Sequence, residues 1–236
     1  VYVDGTEGWK NVQDSTSNVT GSPFLQATGG TITTCGNCKI HTFTGPGTFC
    51  VSSISTNCAA ENTVSHLVIA GGGGGVAQGG AGGAGGFREV KSPLTPYTAS
   101  PLDGYPSAPN RITVTAAAFP ITVGAGGGAG PETNGSNSVF STITSAGGGS
   151  TQGGGPQNGS TGGSGGGGSG SVPGSPTGSG GAGNTPPVSP PQGNSGGDAG
   201  SSLLSGGGGG AGGSGTNVSG PTGGPGGNGV ATSITG

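Results

Sequence analysis

The chain is poor in most of what builds an ordinary globular core. Charged residues make up 6% of its 236 residues, aromatics 4%, and apolar residues 27%, with one Trp and no Met. So little apolar material excludes a large side-chain core. Few cations exclude a nucleic-acid footprint or a basic stripe for a membrane surface. No run of 18 apolar residues is long enough to span a bilayer, and no signal-peptide pattern is present. The chain does not begin with Met, as expected for a processed piece or a fragment of something longer.

What is abundant is glycine, 64 residues, of which only 8 lie in residues 1–64. Beyond that point about one residue in three is glycine, the proportion of collagen-like chains. The organising stretch is Leu67 to Phe87, where LVIA turns at once into glycine. The same step recurs at 121–130, 141–149 and 229–236. The tracts carry glycine at period three: Gly79/Gly82/Gly85, Gly80/Gly83/Gly86, Gly162/Gly165/Gly168, Gly206/Gly209/Gly212/Gly215 and Gly220/Gly223/Gly226/Gly229. A polyproline-II-type helix has three residues per turn, so each row is a bare stripe along one face. The rows break after three or four turns, which excludes a continuous collagen helix. Short polyglycine-II helices remain, close enough for backbone groups to pair between neighbours. A flexible linker is the alternative.

The expected fold is therefore mainly β and irregular, with no α-helix. Residues 1–70 read as a small antiparallel β-domain of five or six strands, and 71–236 as a polyglycine-II bundle with insertions at 87–123 and 184–205. In the first part, VYV (1–3) is a strand ended by Asp4-Gly5, and Trp9 with Val12 anchors an apolar cluster. Gly45-Pro46-Gly47 signals a hairpin turn. It would pair Thr44 with Thr48, Phe43 with Phe49 and His41 with Val51. The four cysteines are Cys35, Cys38, Cys50 and Cys58. Local disulfides, Cys35–Cys38 and Cys50–Cys58, are the expectation, since a small domain gains most from such staples. Free thiols or one half of a zinc site with His41 or His66 are the alternatives.

Motifs for catalysis are missing. The glycine tracts lack the P-loop lysine, no serine lies in a G-x-S-x-G elbow, and acidic residues are scattered singly. His41 and His66 read as structural residues, so neither enzymatic activity nor a cofactor or metal is expected. NTPPVSPPQGN (184–194) reads as a loop closing two antiparallel glycine helices rather than a ligand for a proline-binding module. For binding a sugar or protein, Arg88, Tyr97, Asp103 and Tyr105 on the long insertion are the best candidates, with Leu203 and Leu204 on a short apolar loop tip.

The phrases WKNVQDSTSNVTG, ATGGTITTCGNCKIHTFTGPGTF, TVSHLVIAGGGGG, SPLTPYTASPL, ITVTAAAFPITVGAGG and SNSVFSTITSAGGG resemble the glycine-rich tail-fibre and receptor-binding proteins of marine tailed phages. The tracts alone resemble the distal tail-fibre adhesins of T-even-like phages, whose polyglycine-II helices stack into a sandwich. That resemblance implies a virion-surface, extracellular location and host attachment without enzymatic activity. The partners it implies are a host-cell surface glycan or outer-membrane protein. Other tail-fibre chains would join as a homotrimer or repeating homo-oligomer, with no nucleic acid and no membrane insertion. The alternative is a structural subunit of a self-assembling fibre.

Overall fold

The structure is a computed structural model that describes residues 24–75, 79–130, 132–151, 153, 155–201 and 203–235. The strand expected at 1–3 and the cluster around Trp9 lie outside the described residues. In chain order the strands are β1 (Gln26–Thr28), β2 (Thr31–Cys35), β3 (Cys38–Thr42), β4 (Gly47–Ser53), β5 (Thr63–Val64), β6 (His66–Ile69), β7 (Phe87–Val90), β8 (Ile112–Thr113), β9 (Ala118–Thr122), β10 (Ser138–Phe140) and β11 (Ile143–Ser145). Among the described residues there is no α-helix, only short 3₁₀ turns at Ala59–Asn62 and Ala108–Asn110. Mainly β without α-helix is thus what the described residues form.

The principal sheet has five antiparallel strands in the order β1-β4-β9-β10-β11, and β2-β3, β5-β8 and β6-β7 form two-stranded sheets. Phe49 and Val51 on β4 point inward and join Val68, Ile112, Val114 and Ile143 in one apolar cluster. Alternation along β4 leaves Thr48, Cys50 and Ser52 outside. The phenyl rings interlock edge to face, with Phe49 and Phe140 at 5.9 Å and 89°, a geometry that adds to simple burial. Pro120 is tolerated in β9 because β10 pairs only with Ile121 and Thr122, which leaves Pro120 a single neighbouring strand.

Two expectations about this region are corrected. No ladder joins β3 to β4 across Gly45-Pro46-Gly47. Instead β3 folds back on β2, with Thr31 opposite Thr42, and β4 is occupied on its two edges by β1 and β9. Val51, the residue His41 would face, is paired with Ala27 of β1 instead, and His41 meets Phe49 by ring contact at 5.0 Å. The sheet is also not completed within residues 1–70. Strands β9 to β11, lying between glycine tracts, supply more than half of its width, so residue 70 marks a change of local structure rather than the edge of a core.

Beyond β6 the chain leaves the sheet as backbone with almost no side chains. The N–H groups of Ala70 and Gly73 donate to Gly86 and Gly83, whereas those of Gly71 and Gly74 donate to Ser136 and Thr133. Ala81 and Ala84 donate to Gly206 and Gly209, and Gly83 and Gly86 to Gly149 and Ala146. Donors three residues apart thus bond the same neighbour, as an extended helix with three residues per turn requires. Asparagine side chains extend the pattern: Gly147 and Ser150 donate to the Oδ1 atoms of Asn137 and Asn134.

Glycine is needed here for its missing Cβ rather than for its backbone freedom. The positive-φ glycines are Gly29, Gly30, Gly36, Gly155, Gly174 and Gly220, none of them in the bonded runs 70–75, 79–86, 146–151, 162–170 or 206–210. A Cβ on Gly82 would lie 2.1 Å from the Gly73 carbonyl oxygen, and one on Gly165 1.8 Å from that of Gly181. Both are impossible contacts with backbone. The exposed positions in the same tract are Ala81 and Ala84, so a side chain appears where there is room for one.

Candidate functional site

The tracts run out from the sheet and back, which gives the bundle two ends. At the sheet end lie the insertion 87–111 and the proline-rich loop 184–192, joined by Asn110 Nδ2 donating to Ser189 O at 2.8 Å. At the far end the chain reverses at bridges between Ala129 and Glu132 and between Ser219 and Thr222, and a parallel bridge joins Ser171 to Ser201. At ~3.1 Å per residue an eight-residue tract such as 79–86 separates the ends by roughly 25 Å. The six residues singled out in the sequence therefore do not form one site.

Those on the insertion hold the insertion itself. Arg88 is half-buried and donates from Nη2 to Asn110 Oδ1 at 2.7 Å, and burial lowers its pKa. The Asp103 carboxylate accepts from the N–H groups of Lys91 and Tyr105 at 2.9 and 3.0 Å, closing the turn between them. The Tyr105 ring lies under the Arg111 guanidinium at 4.3 Å. Tyr97 is half-buried near Lys91 Nζ, and burial, with the Glu89 charge, raises its phenol pKa. These contacts leave the insertion a rigid cap of internal hydrogen bonds.

Beneath that cap lie Glu89 and Gln192, to which the sequence pointed for no role, and His66, expected as a structural residue. Glu89 is 2% exposed and accepts from Ser100 N–H and from the Thr232 hydroxyl, tying the C-terminal stretch to the insertion. Gln192 is fully buried. Its Oε1 accepts from Ala146 N–H and its Nε2 donates to Pro186 O, each at 2.8 Å. It thereby fixes the proline-rich loop to both sheet and bundle. His66 is 6% exposed, edge-on to Phe140 at 5.8 Å, and neither ring nitrogen has a hydrogen-bond partner among the described residues. Burial pushes its pKa down to about 4, with the Val64 backbone partly opposing and Arg88 adding to the fall. The burial of Glu89 is invisible in sequence because nothing in the spacing marks it.

The far end is different in kind. Leu203 is 54% exposed and Val172 57%, on neighbouring loops linked by Leu203 N–H donating to Ser171 O at 2.9 Å. Leu204 is half-buried, and its carbonyl accepts from Gly200 N–H. Loop 171–177 is drawn tight by the Ser171 hydroxyl donating to Ser175 O and Pro176 O. Gly174, at φ +86°, makes a turn other residues resist. Pro173 and Pro176 are exposed beside Val172. The Pro-Gly-Ser-Pro run between two glycine tracts is the sequence feature that marks this tip, although no site was expected there.

Along the bundle's flank runs an open groove of about 680 Å³, bounded by Ile69, Gly72, Ala81, Ala84, Gly208, Gly226 and Val230. Among the described residues, a Cβ added at Gly72 or Gly226 would meet nothing closer than 3.6 Å, and one at Gly229 nothing within 4 Å.

All four cysteines are free thiols, so the expected disulfides are not formed in this structure. Cys35 and Cys38 face each other across the β2–β3 turn, while Cys50 faces Thr28 and Ala118 and Cys58 precedes the Ala59–Asn62 turn. Cys50 thus has no cysteine as a ladder partner. Among the described residues no group of three or more His, Cys, Asp or Glu is placed to hold a metal. His41 Nδ1 is bonded to Gly29 O at 2.8 Å and so is turned away from the thiols.

No curated protein and no solved structure matches the chain. The model of the glycine-rich domain family matches residues 42–236, which takes in β4 to β11 and the whole bundle. The chain therefore belongs to the glycine-rich domain family.

Proposed function

We propose that the chain is a non-enzymatic tail-fibre component of a bacteriophage that binds a host-cell surface receptor, a glycan or an outer-membrane protein, through loops displayed on its glycine-rich bundle. The observation that carries this reading is the far end, where exposed Val172 and Leu203 sit on short, internally bonded loops. Apolar tips on a rigid support offer contact area at low entropic cost. The resemblance of the sequence phrases to tail-fibre proteins supports the virion-surface setting. The contact surface is thereby moved from the insertion, whose aromatic and charged groups are engaged internally, to the loops 171–177 and 201–205.

Binding of the purified chain to a panel of intact bacterial cells tests this. Val172→Asp with Leu203→Asp is expected to reduce binding at least tenfold without changing the melting temperature, whereas Tyr105→Ala leaves binding unchanged. Full binding by the double variant rejects the tip as the contact surface.

The flank groove favours a second reading, a structural subunit of a self-assembling fibre. Gly72, Gly226 and Gly229 have no packing reason among the described residues to be glycine, and backbone of another chain laid there would supply one. A particle that is elongated in solution and indifferent to cells would favour that reading.

A further inference from the structure

The exposed hairpin of β2 and β3 carries a chemistry independent of receptor binding. Its strands form a sheet of their own, β2 is exposed along its whole length, and the ladder ends with Cys35 directly opposite Cys38. Between them Gly36, at φ +57°, and Asn37 make a two-residue turn. Directly opposed residues of an antiparallel pair have Cα atoms ~4.5–5.5 Å apart, inside the ~4.4–6.8 Å that a disulfide spans. That Cα separation puts the two thiols within reach of each other for a bond. The other two thiols are separated from this pair: Cys50 lies in the middle of β4 and Cys58 beyond its end. Two thiolates, with His41 turned inward onto Gly29 and Phe49, also fall short of the four ligands of a closed zinc site.

We propose that Cys35 and Cys38 are a reversible dithiol–disulfide couple that clamps the tip of this hairpin. The oxidant is a small aliphatic disulfide of the glutathione type. One cysteine thiolate attacks it, forming a mixed disulfide and expelling one small thiolate. The opposite cysteine thiolate then attacks the protein sulfur of that mixed disulfide, closing Cys35–Cys38 and expelling the second small thiolate. The protein loses two electrons and two protons, and the small disulfide becomes two thiols. A two-stranded hairpin is marginal alone, so the clamp acts on the part of the β-region with least packing to hold it.

The test treats the full chain with oxidised glutathione in mildly alkaline solution, alkylates the remaining thiols, and maps the products by mass spectrometry. The expected product has lost two hydrogens, carries a 35–38 bridge, keeps alkylated Cys50 and Cys58, and returns to four free thiols with dithiothreitol. Cys35→Ser should instead stop at a stable glutathione adduct on Cys38. Stable adducts on both Cys35 and Cys38 of the unsubstituted chain, a bridge to Cys50 or Cys58, or an unreacted pair would overturn the proposal.

Discussion

The β-sheet and the glycine bundle solve the same problem with opposite means. In the sheet, side chains such as Phe49, Phe119 and Phe140 fill the space between backbones, and their rings hold neighbours apart at 5.9–6.4 Å. In the bundle, the side chains where tracts meet are missing or small and hydroxylic, as at Thr151, Ser164 and Ser169, and each backbone becomes its neighbour's packing surface. A sheet core tolerates loss of volume badly because a cavity remains. A backbone core tolerates gain of volume badly because the obstacle is a carbonyl that cannot turn away. The comparison also explains how a chain with 27% apolar residues becomes ordered. Buried peptide groups bonded to neighbouring tracts replace apolar area as the ordering interaction.

The largest effect should come from the bundle. Gly82→Val places branched carbon against the Gly73 carbonyl and is expected to destabilise by more than about 4 kcal/mol, seen as loss of a cooperative melting transition. Phe49→Ala, the matching insult to the sheet, should cost about 3–5 kcal/mol in denaturant melts and leave a folded but weakened chain. If the valine is harmless while the alanine is not, the two regions do not differ in the way described.

Acid should act on the sheet side through His66. His66 has a folded pKa lowered to about 4 from 6.5, so below pH 6.5 the unfolded chain binds a proton that the folded chain refuses. The stability this neutral histidine supports is present above that pH and is lost as pH falls toward 4, by about 3 kcal/mol at most. Arg88, Glu89 and Asp103 surround it, and a titration of melting temperature should flatten in His66→Phe. An unchanged slope in that variant would assign the acid response to other groups. The smallest effect is expected at Gly229, where a Cβ meets open space. Gly229→Ala should be neutral or stabilise by roughly 0.4–1 kcal/mol through the unfolded chain.

The sequence was informative where its period was strict. Leu67 to Ala70 followed by glycine did mark a strand running into a tract, and rows three apart did mark lateral backbone bonding. It was uninformative where partners are far apart in the chain. Nothing around Phe119 announces that it pairs with Phe49, because short strands carry too few residues for a pattern and their mates lie on the other side of two glycine tracts. The hairpin at Gly45-Pro46-Gly47 misled because turn residues report a bend, not which edge is free to pair. The candidate contact residues were split for a similar reason. Tyr and Arg advertise binding, but which end of the bundle a loop occupies depends on the direction of each tract, and glycine rows are the same read in either direction.

The central claim, that the tracts are held by backbone bonds repeating every third residue, is tested most directly by amide hydrogen exchange along 79–86. Ala81, Gly83, Ala84 and Gly86 donate to Gly206, Gly149, Gly209 and Ala146, whereas Gly82 and Gly85 have no acceptor among the described residues. The account predicts slow exchange at the first four and fast exchange at Gly82 and Gly85. Uniformly fast exchange along the tract would contradict it.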